Sequence, residues 1–278
     1  MPDITVATFN THTGMDGWGR PFDLVEACRE LDADVLALQE VYAPRDGVSH
    51  AQDVAAELGY TATELPLARC WRLEEPVWDG KGWEPRKHGP GVRRALYVGG
   101  RLCEPRRRLG GYEEGTWGLA ILSRLEVAGF EAIDVGSASR DPNRRAAIAV
   151  DLLAQGGASS DPAPAFPPVR LIHRLRVICT HAPHLAAGSP LFFRRLGHAA
   201  RGHGPAVLAG DMNLWGPPLV VFLHGWRRAA KGQTWPARSP HSQADHILVS
   251  GPVSPVSGGA VRVGNSDHLA LRATIALE

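Results

Sequence analysis

Apolar and polar positions alternate along the chain in short, distinct periods. Ile4 to Phe9 is an apolar-rich run that predicts a β-strand ending at Asn10. Leu24, Ala27, Cys28 and Leu31 follow the i, i+3, i+4, i+7 spacing of an amphipathic helix, and Ala51, Val54, Ala55 and Leu58 repeat it. Between these helices, Val35 to Leu38 predicts a short buried strand ending at Gln39-Glu40. From about Glu64 to Trp117 the periodicity fades among Pro, Gly, Trp and Arg residues, which predicts long loops with some hairpin.

Regular patterning resumes at Gly118–Ser123 and Ala146–Leu153, both strand-like. Gln155 to Pro168 is rich in Gly, Ser, Ala and Pro and predicts a surface loop. Leu175–Thr180, Ala206–Ala209, His246–Val249 and Leu269–Leu277 predict further strands, with a helix over Leu191–Ala200. No internal repeat and no linker divides the chain. One α/β (α+β) domain over 1–278 is expected, with an irregular insertion at about 64–117.

Composition narrows the function classes only a little. The chain has 278 residues, 44% hydrophobic and 21% charged, as ordinary globular proteins do. A formal net charge of +1 carries no global polyanion signal, so any attraction to phosphates is local. The basic stretch from Lys81 to Arg108, with Trp78, Trp83 and Tyr97 interleaved or adjacent, is one such locality; it reads either as a solvated face or as a nucleic-acid grip. The cysteines Cys28, Cys70, Cys103 and Cys179 form no C-x-x-C pair, which argues against a cysteine zinc site. Cys28 and Cys179 read as buried thiols. No apolar run approaches the roughly 20 residues needed to span a bilayer. A cytoplasmic monomer without membrane insertion is the expectation.

The chemistry collects at strand ends. Asn10, Glu40, His181 and Asp211 each follow an apolar run, Asp245 precedes one, and Asp267-His268 opens the last. Strand ends beside loops are where a rigid scaffold presents functional groups. Strands running in both directions would bring starts and ends to one rim. The set offers carboxylates, amides and imidazoles but no thiolate, and such hard oxygen donors suit Mg²⁺ or Mn²⁺ better than Zn²⁺.

The segments ATFN (7–10), LQE (38–40), THAPH (180–184), GDMN (210–213), ADHILVS (244–250) and SDH (266–268) resemble, in order and spacing, the motifs of the endonuclease/exonuclease/phosphatase superfamily. That family includes deoxyribonuclease I, exonuclease III-type enzymes, neutral sphingomyelinases and inositol-polyphosphate phosphatases. The resemblance implies a four-layer sandwich: two packed mixed β-sheets with helices on the outside. It also implies roles. Glu40 is similar to the principal metal ligand, with Asn10 and Asp267 supporting the metal or its waters. Asp211 is similar to the group that orients or deprotonates the attacking water, and Asn213 to the donor to a phosphate oxygen. Asp245 and His268 resemble the Asp–His pair. His181 matches a second catalytic histidine, with His184 as its competitor. Arg144 or Arg145 resembles an arginine that points towards the substrate, and Arg145 is the better candidate for substrate binding. His12 and His241 read as loop residues.

Two departures set the chain apart from abasic-site repair enzymes. Asn10-Thr11-His12-Thr13 stands where they carry N-G-hydrophobic-R, and His181 stands where they carry tyrosine. The expected activity is therefore a metal-dependent phosphodiesterase, with a nucleic-acid endonuclease or exonuclease as the alternative. A non-catalytic nucleic-acid or partner-binding protein on the same fold is the rival from another class.

Overall fold

The computed structural model describes residues 3–17, 19–73, 92–94, 96–98, 101–103, 112–136, 145–155, 172–183, 189–200 and 204–278. The chain opens with β1 (Asp3–Asn10), a short 3₁₀ turn (His12–Gly14), α1 (Leu24–Leu31), β2 (Val35–Pro44), α2 (His50–Leu58) and β3 (Thr61–Leu73). Short strands β4 (Val92–Arg94), β5 (Leu96–Val98) and β6 (Arg101–Cys103) precede the long β7 (Tyr112–Ser123), β8 (Glu126–Gly136), β9 (Arg145–Gln155) and β10 (Ile172–His181). The remainder is α3 (Ser189–Ala199), β11 (Ala206–Asp211), α4 (Gly216–Phe222), β12 (Arg227–Arg228), β13 (Asp245–Ser250), β14 (Val253–Val261) and β15 (Ala270–Leu277).

Two mixed sheets pack face to face. The first has the order β14-β15-β1-β2-β7-β3-β4, the second β12-β13-β11-β10-β9-β8, and β5-β6 form a separate ribbon. β1 runs parallel to β2, and β10 parallel to β11; the other pairings are antiparallel. Strand alternation sorts the side chains into layers. Val6, Val177, Val207, Ile247 and Ile275 point into the core between the sheets. Their neighbours Ala7 and Phe9 face outwards onto α1 and α2, while Ile178, Leu208 and Leu248 face α3 and α4. This is the four-layer α/β sandwich that the resemblance implied. Asp23 and Ser49 cap α1 and α2 by accepting from the backbone N–H groups of Glu26 and Gln52.

The loop expected over 64–117 is corrected at both ends. Residues 64–73 and 112–117 belong to β3 and β7, which pair in register from Thr61↔Ser123 to Leu73↔Tyr112. The misleading residue is Pro66, which sits where the register shifts and so removes no regular ladder bond. The sequence patterns also miss β8, β14 and α4. The two strands are at or next to sheet edges and largely exposed, so no apolar face is imposed on them. Most of the basic Lys81–Arg108 stretch and the 156–168 part of the Gly/Ser/Pro loop lie outside the described residues. Cys28 and Cys179 are fully buried, as expected. Among the described residues no helix is long and apolar enough to cross a membrane.

Candidate active site

Strand direction carries the polar residues to one rim. β10 and β11 are parallel and end together, with His181 opposite Asp211. β13 runs the other way and starts there, with Asp245 opposite Asp211. His181, Asp211 and Asp245 therefore stand side by side on three adjacent strands. The facing sheet delivers Asn10 at the end of β1, opposite Gln39 of β2, and Ser266-Asp267-His268 immediately before β15.

Glu40 arrives by a different device. The β2–β7 register skips between Gln39 and Val41, so Glu40 occupies a bulge with φ 54°. A bulge frees one residue from the ladder and re-aims its side chain. Thr11 Oγ1 donates to the carbonyl oxygens of Gln39 and Glu40 at 3.0 and 3.1 Å and braces the bulge. His12 and Asn213 also have positive φ, 46° and 48°. Such conformations cost about 1–3 kcal/mol each and tend to cluster at functional sites. Gly210 is required for another reason: a Cβ there would lie 1.9 Å from the Thr180 carbonyl oxygen, so only glycine lets β10 and β11 close at the rim.

The side chains form one connected network. Asp211 accepts from the Asn10 amide at 3.1 Å through Oδ2 and from the Asn213 backbone N–H at 2.9 Å through Oδ1. Its Oδ2 also lies 3.4 Å from His181 Nε2 and 3.8 Å from His268 Nε2. His181 Nδ1 is 3.8 Å from Glu40 Oε1, which links the two sheets across the cleft. His268 Nδ1 is 2.8 Å from Asp245 Oδ2. Asn213 Nδ2 sits 3.3 Å from His181 Nε2 and donates to the Ala182 carbonyl at 3.0 Å. Arg145 is buried beside them, its Nη1 donating to the His181 carbonyl at 3.3 Å and its guanidinium 5.7 Å from the Trp117 ring centre. Asp267 lies at the edge, its Oδ1 3.8 Å from His12 Nδ1.

Burial shapes the charges. Asp211 is pushed up to about 7, first by desolvation, with Asp245 adding repulsion and His268 opposing it. Burial works against a charge on His268, yet Asp245 and Asp211 outweigh it and raise its pKa to about 10. His268 is therefore a buried imidazolium at neutral pH.

Asn10, Glu40, His181, Asp211, Asn213, Asp245 and His268 are linked by these contacts with Arg145 alongside, whereas Asp267 pairs with His12 at the edge, and sequence reasoning missed several residues that hold the cluster. Ser266 donates to the Asn10 carbonyl at 2.7 Å and accepts from the His268 N–H at 3.2 Å, tying the approach to β15 to the end of β1 within the first sheet. Thr234 Oγ1 accepts from the Ala244 and Asp245 N–H groups at 3.1 Å. Trp117 packs edge-on to His181 at 5.8 Å. Thr234 and Trp117 lie outside the recognisable segments, so no local signal marks them. His12, read as a loop residue, is buried in the 3₁₀ turn, whereas His241 is exposed. Trp226 fills the core, while Trp215 and Trp235 are exposed. Arg144 and His184 lie outside the described residues.

The family comparison agrees with this geometry. The model of the Endonuclease/Exonuclease/phosphatase family matches residues 7–268. The chain belongs to the endonuclease/exonuclease/phosphatase family. Solved structures of similar fold include an endonuclease/exonuclease/phosphatase from Beutenbergia cavernae, 18% identical over 100% of this chain and 72% of that one, with a TM-score of 0.64. The human Nocturnin catalytic domain with bound sulfate is 18% identical over 100% and 95%, with a TM-score of 0.56. Zebrafish (D. rerio) TDP2 complexed with a single-strand DNA product is 14% identical over 99% and 100%, with a TM-score of 0.55. No curated protein sequence matches significantly.

For this endonuclease/exonuclease/phosphatase member, one compact donor grouping among the described residues bears on a metal. One ligand atom from each of Asp211, Asp245 and His268 lies within 4.8 Å of the others. That trio is partly committed, because His268 holds its proton against Asp245. Among the other oxygen donors, Asn10 bonds to Asp211, Glu40 lies beside His181 and Asp267 beside His12. Asp267 Oδ1 is buried and accepts no hydrogen bond among the described residues. Cys179 is buried in the core, where its Sγ accepts from Gln39 Nε2 at 3.3 Å and donates to the Leu38 carbonyl at 3.5 Å, and burial pushes its thiol up to about 12. A hard divalent cation fits this donor set.

Proposed function

We propose that the protein is a Mg²⁺- or Mn²⁺-dependent phosphodiesterase that cleaves its substrate by in-line attack of water. The observation that carries the proposal is the convergence of Glu40, His181, Asp211 and the Asp245–His268 pair at one rim. Glu40 holds the cation, with Asn10 and Asp267 supporting it or its waters. When bound, the cation neutralises charge on the phosphate and leaving oxygens. Asp211, held by the Asn10 and Asn213 donors, orients the attacking water and takes its proton. A carboxylate poised at about 7 suits a general base at neutral pH.

The His268 imidazolium stabilises the pentacoordinate phosphorus as negative charge builds there, and Asp245 keeps it charged and oriented. Asn213 donates to a phosphate oxygen from beside His181, and Arg145 binds substrate behind it. As the water oxygen bonds to phosphorus, the bond to the leaving oxygen breaks, and His181 gives that alkoxide a proton. The products are a phosphomonoester and an alcohol. Nucleic acid is one version of the substrate.

Purified protein with Mg²⁺ or Mn²⁺ is expected to hydrolyse bis-p-nitrophenyl phosphate, DNA, RNA or phospholipid head groups. Asp211→Ala and His268→Ala are each expected to lower turnover at least about 10²-fold. Failure to cleave any of these substrates, or near-normal turnover in both variants, refutes the proposal.

A further inference from the structure

The hydrogen bond between Asp245 and His268 spans the two sheets. Asp245 opens β13 in the second sheet, and His268 lies just before β15 in the first. Its length of 2.8 Å therefore depends on how two separate backbones are placed against each other. Asp245 Oδ1 is buried and accepts no hydrogen bond, so among the described residues only His268 donates to this carboxylate. The rest of its orientation comes from its backbone.

The free edge of β13 shows how that backbone is fixed. β12 covers the edge only at Arg227 and Arg228, opposite Val249 and Leu248. One further bond of this kind follows, from the Ala229 N–H to the Ile247 carbonyl at 2.8 Å. Beyond it, side chains stand in for the missing strand. Gln243 Nε2 donates to the Asp245 carbonyl at 3.2 Å, and Thr234 Oγ1 accepts from the Ala244 and Asp245 N–H groups, both at 3.1 Å.

Thr234 is fully buried and reaches the other sheet as well. Its carbonyl accepts from the N–H of Leu269, the residue after His268, at 2.8 Å. Its own N–H donates to the Ser242 carbonyl at 2.8 Å, and Trp235 and Ser242 exchange two bonds of 3.0 Å, which closes the 234–242 loop on itself. From within that loop the Ala237 N–H donates to the Asp267 carbonyl at 2.7 Å. One residue thus holds both partners by their backbones, with its hydroxyl on the Asp245 side and its carbonyl on the His268 side. Buried backbone donors are almost always paired, so removing the hydroxyl forces the start of β13 to move or to stay unsatisfied.

We propose that Thr234 is a positioning residue for the Asp245–His268 pair, its hydroxyl setting the distance and angle at which the carboxylate meets the imidazole across the two sheets. This rests on the phosphodiesterase reading, in which the pair serves turnover, and Thr234 acts only through the pair.

Two variants test the role. Thr234→Val keeps the shape and removes the acceptor; Thr234→Ser restores the acceptor. The first readout needs no substrate: the hydrogen-bonded Nδ1 proton of His268, followed by proton NMR in the full chain with Mg²⁺. The signal is expected in the parent and in Thr234→Ser, and is expected to be lost to solvent exchange in Thr234→Val. The second readout is hydrolysis of bis-p-nitrophenyl phosphate with Mn²⁺. Thr234→Val is expected to lower kcat about 10- to 100-fold, the scale of a misplacement of up to about 1 Å, with KM and Mn²⁺ affinity within about twofold of the parent. Thr234→Ser, whose hydroxyl offers the same lone pairs, is expected to stay within about threefold. In an Asp245→Asn background the Thr234→Val change is expected to cost less than about twofold, because the pair it aligns is already broken.

An equal loss in both backgrounds marks a general structural role and overturns this one. So does a Thr234→Val variant that keeps the parent's His268 proton signal or kcat, or a Thr234→Ser variant as impaired as Thr234→Val. Should Thr234→Val not fold, Thr234→Ala, which lacks the acceptor and sets no extra methyl beside the two N–H groups, carries the same comparison. If no substrate is hydrolysed, the phosphodiesterase reading fails on its own, and the His268 proton signal still decides whether Thr234 holds the pair.

Discussion

Replacing Asp245 by Asn tests whether a carboxylate is what keeps His268 charged. Asp245 is fully buried and its Oδ2 lies 2.8 Å from His268 Nδ1. With it, His268 has a pKa of about 10 against an ordinary value of 6.5. At about 1.4 kcal/mol per unit, the part of this shift expressed at pH 7 is on the order of 4 kcal/mol. The raised pKa sets the sign: the stabilisation is complete below pH 6.5 and is lost as pH rises through about 10.

Without the carboxylate, burial remains as the leading influence and drives His268 towards the neutral form. The charged fraction at pH 7 then falls from nearly all to at most about a quarter. That change alone lowers activity only about fourfold. Loss of tautomer control and orientation accounts for the rest of an expected drop of about 10²- to 10⁴-fold.

NMR titration of the His268 ring in metal-free protein checks the charge, and a pH–rate profile checks its use. In Asp245→Asn the titration is expected to move below pH 7, and residual activity is expected to rise on acidification until Asp211 protonates. A His268 that still titrates above pH 9 in a folded variant would refute the reasoning.

Three further outcomes are expected. Glu40→Ala abolishes Mn²⁺ uptake in isothermal titration, whereas undiminished uptake would move the cation to the Asp211–Asp245–His268 trio. His246 is fully buried and lowered to about 4, chiefly by burial, so the unfolded chain takes up its proton first; stability falls as pH drops from 6.5 to about 4, by roughly 3 kcal/mol from this residue. Urea unfolding of His246→Gln is therefore expected to show a shallower acid slope than the parent, and equal slopes would contradict this. Phe193 is fully buried between Phe192 and Phe222, so Phe193→Ala costs about 3–5 kcal/mol, while Phe130→Ala, at a position 69% exposed, changes thermal stability by under about 0.5 kcal/mol.

Legibility followed burial. β1, α1, α2, β10, β11, β13 and β15 were readable because each buries a face against a packed layer, which forces a periodic pattern. β8 and β14 left no such trace, being exposed strands near sheet edges. β3 and β7 were obscured where polar, proline and tryptophan residues continue a long strand past the core.

At the candidate site, the residue types and their places at strand ends were visible in the sequence, and with them the preference for a hard cation. The bulge that turns Glu40 into the cleft was not visible, because a register shift depends on the partner strand. Nor were the Ser266 bridge, the Thr234 support of Asp245, or the Leu269 bond that ties Thr234 to the other sheet. Local pattern specifies which segments become strands and what chemistry each carries. Distances, burial and the resulting charges depend on which segments pack together, and that is decided only when the two sheets close on one another.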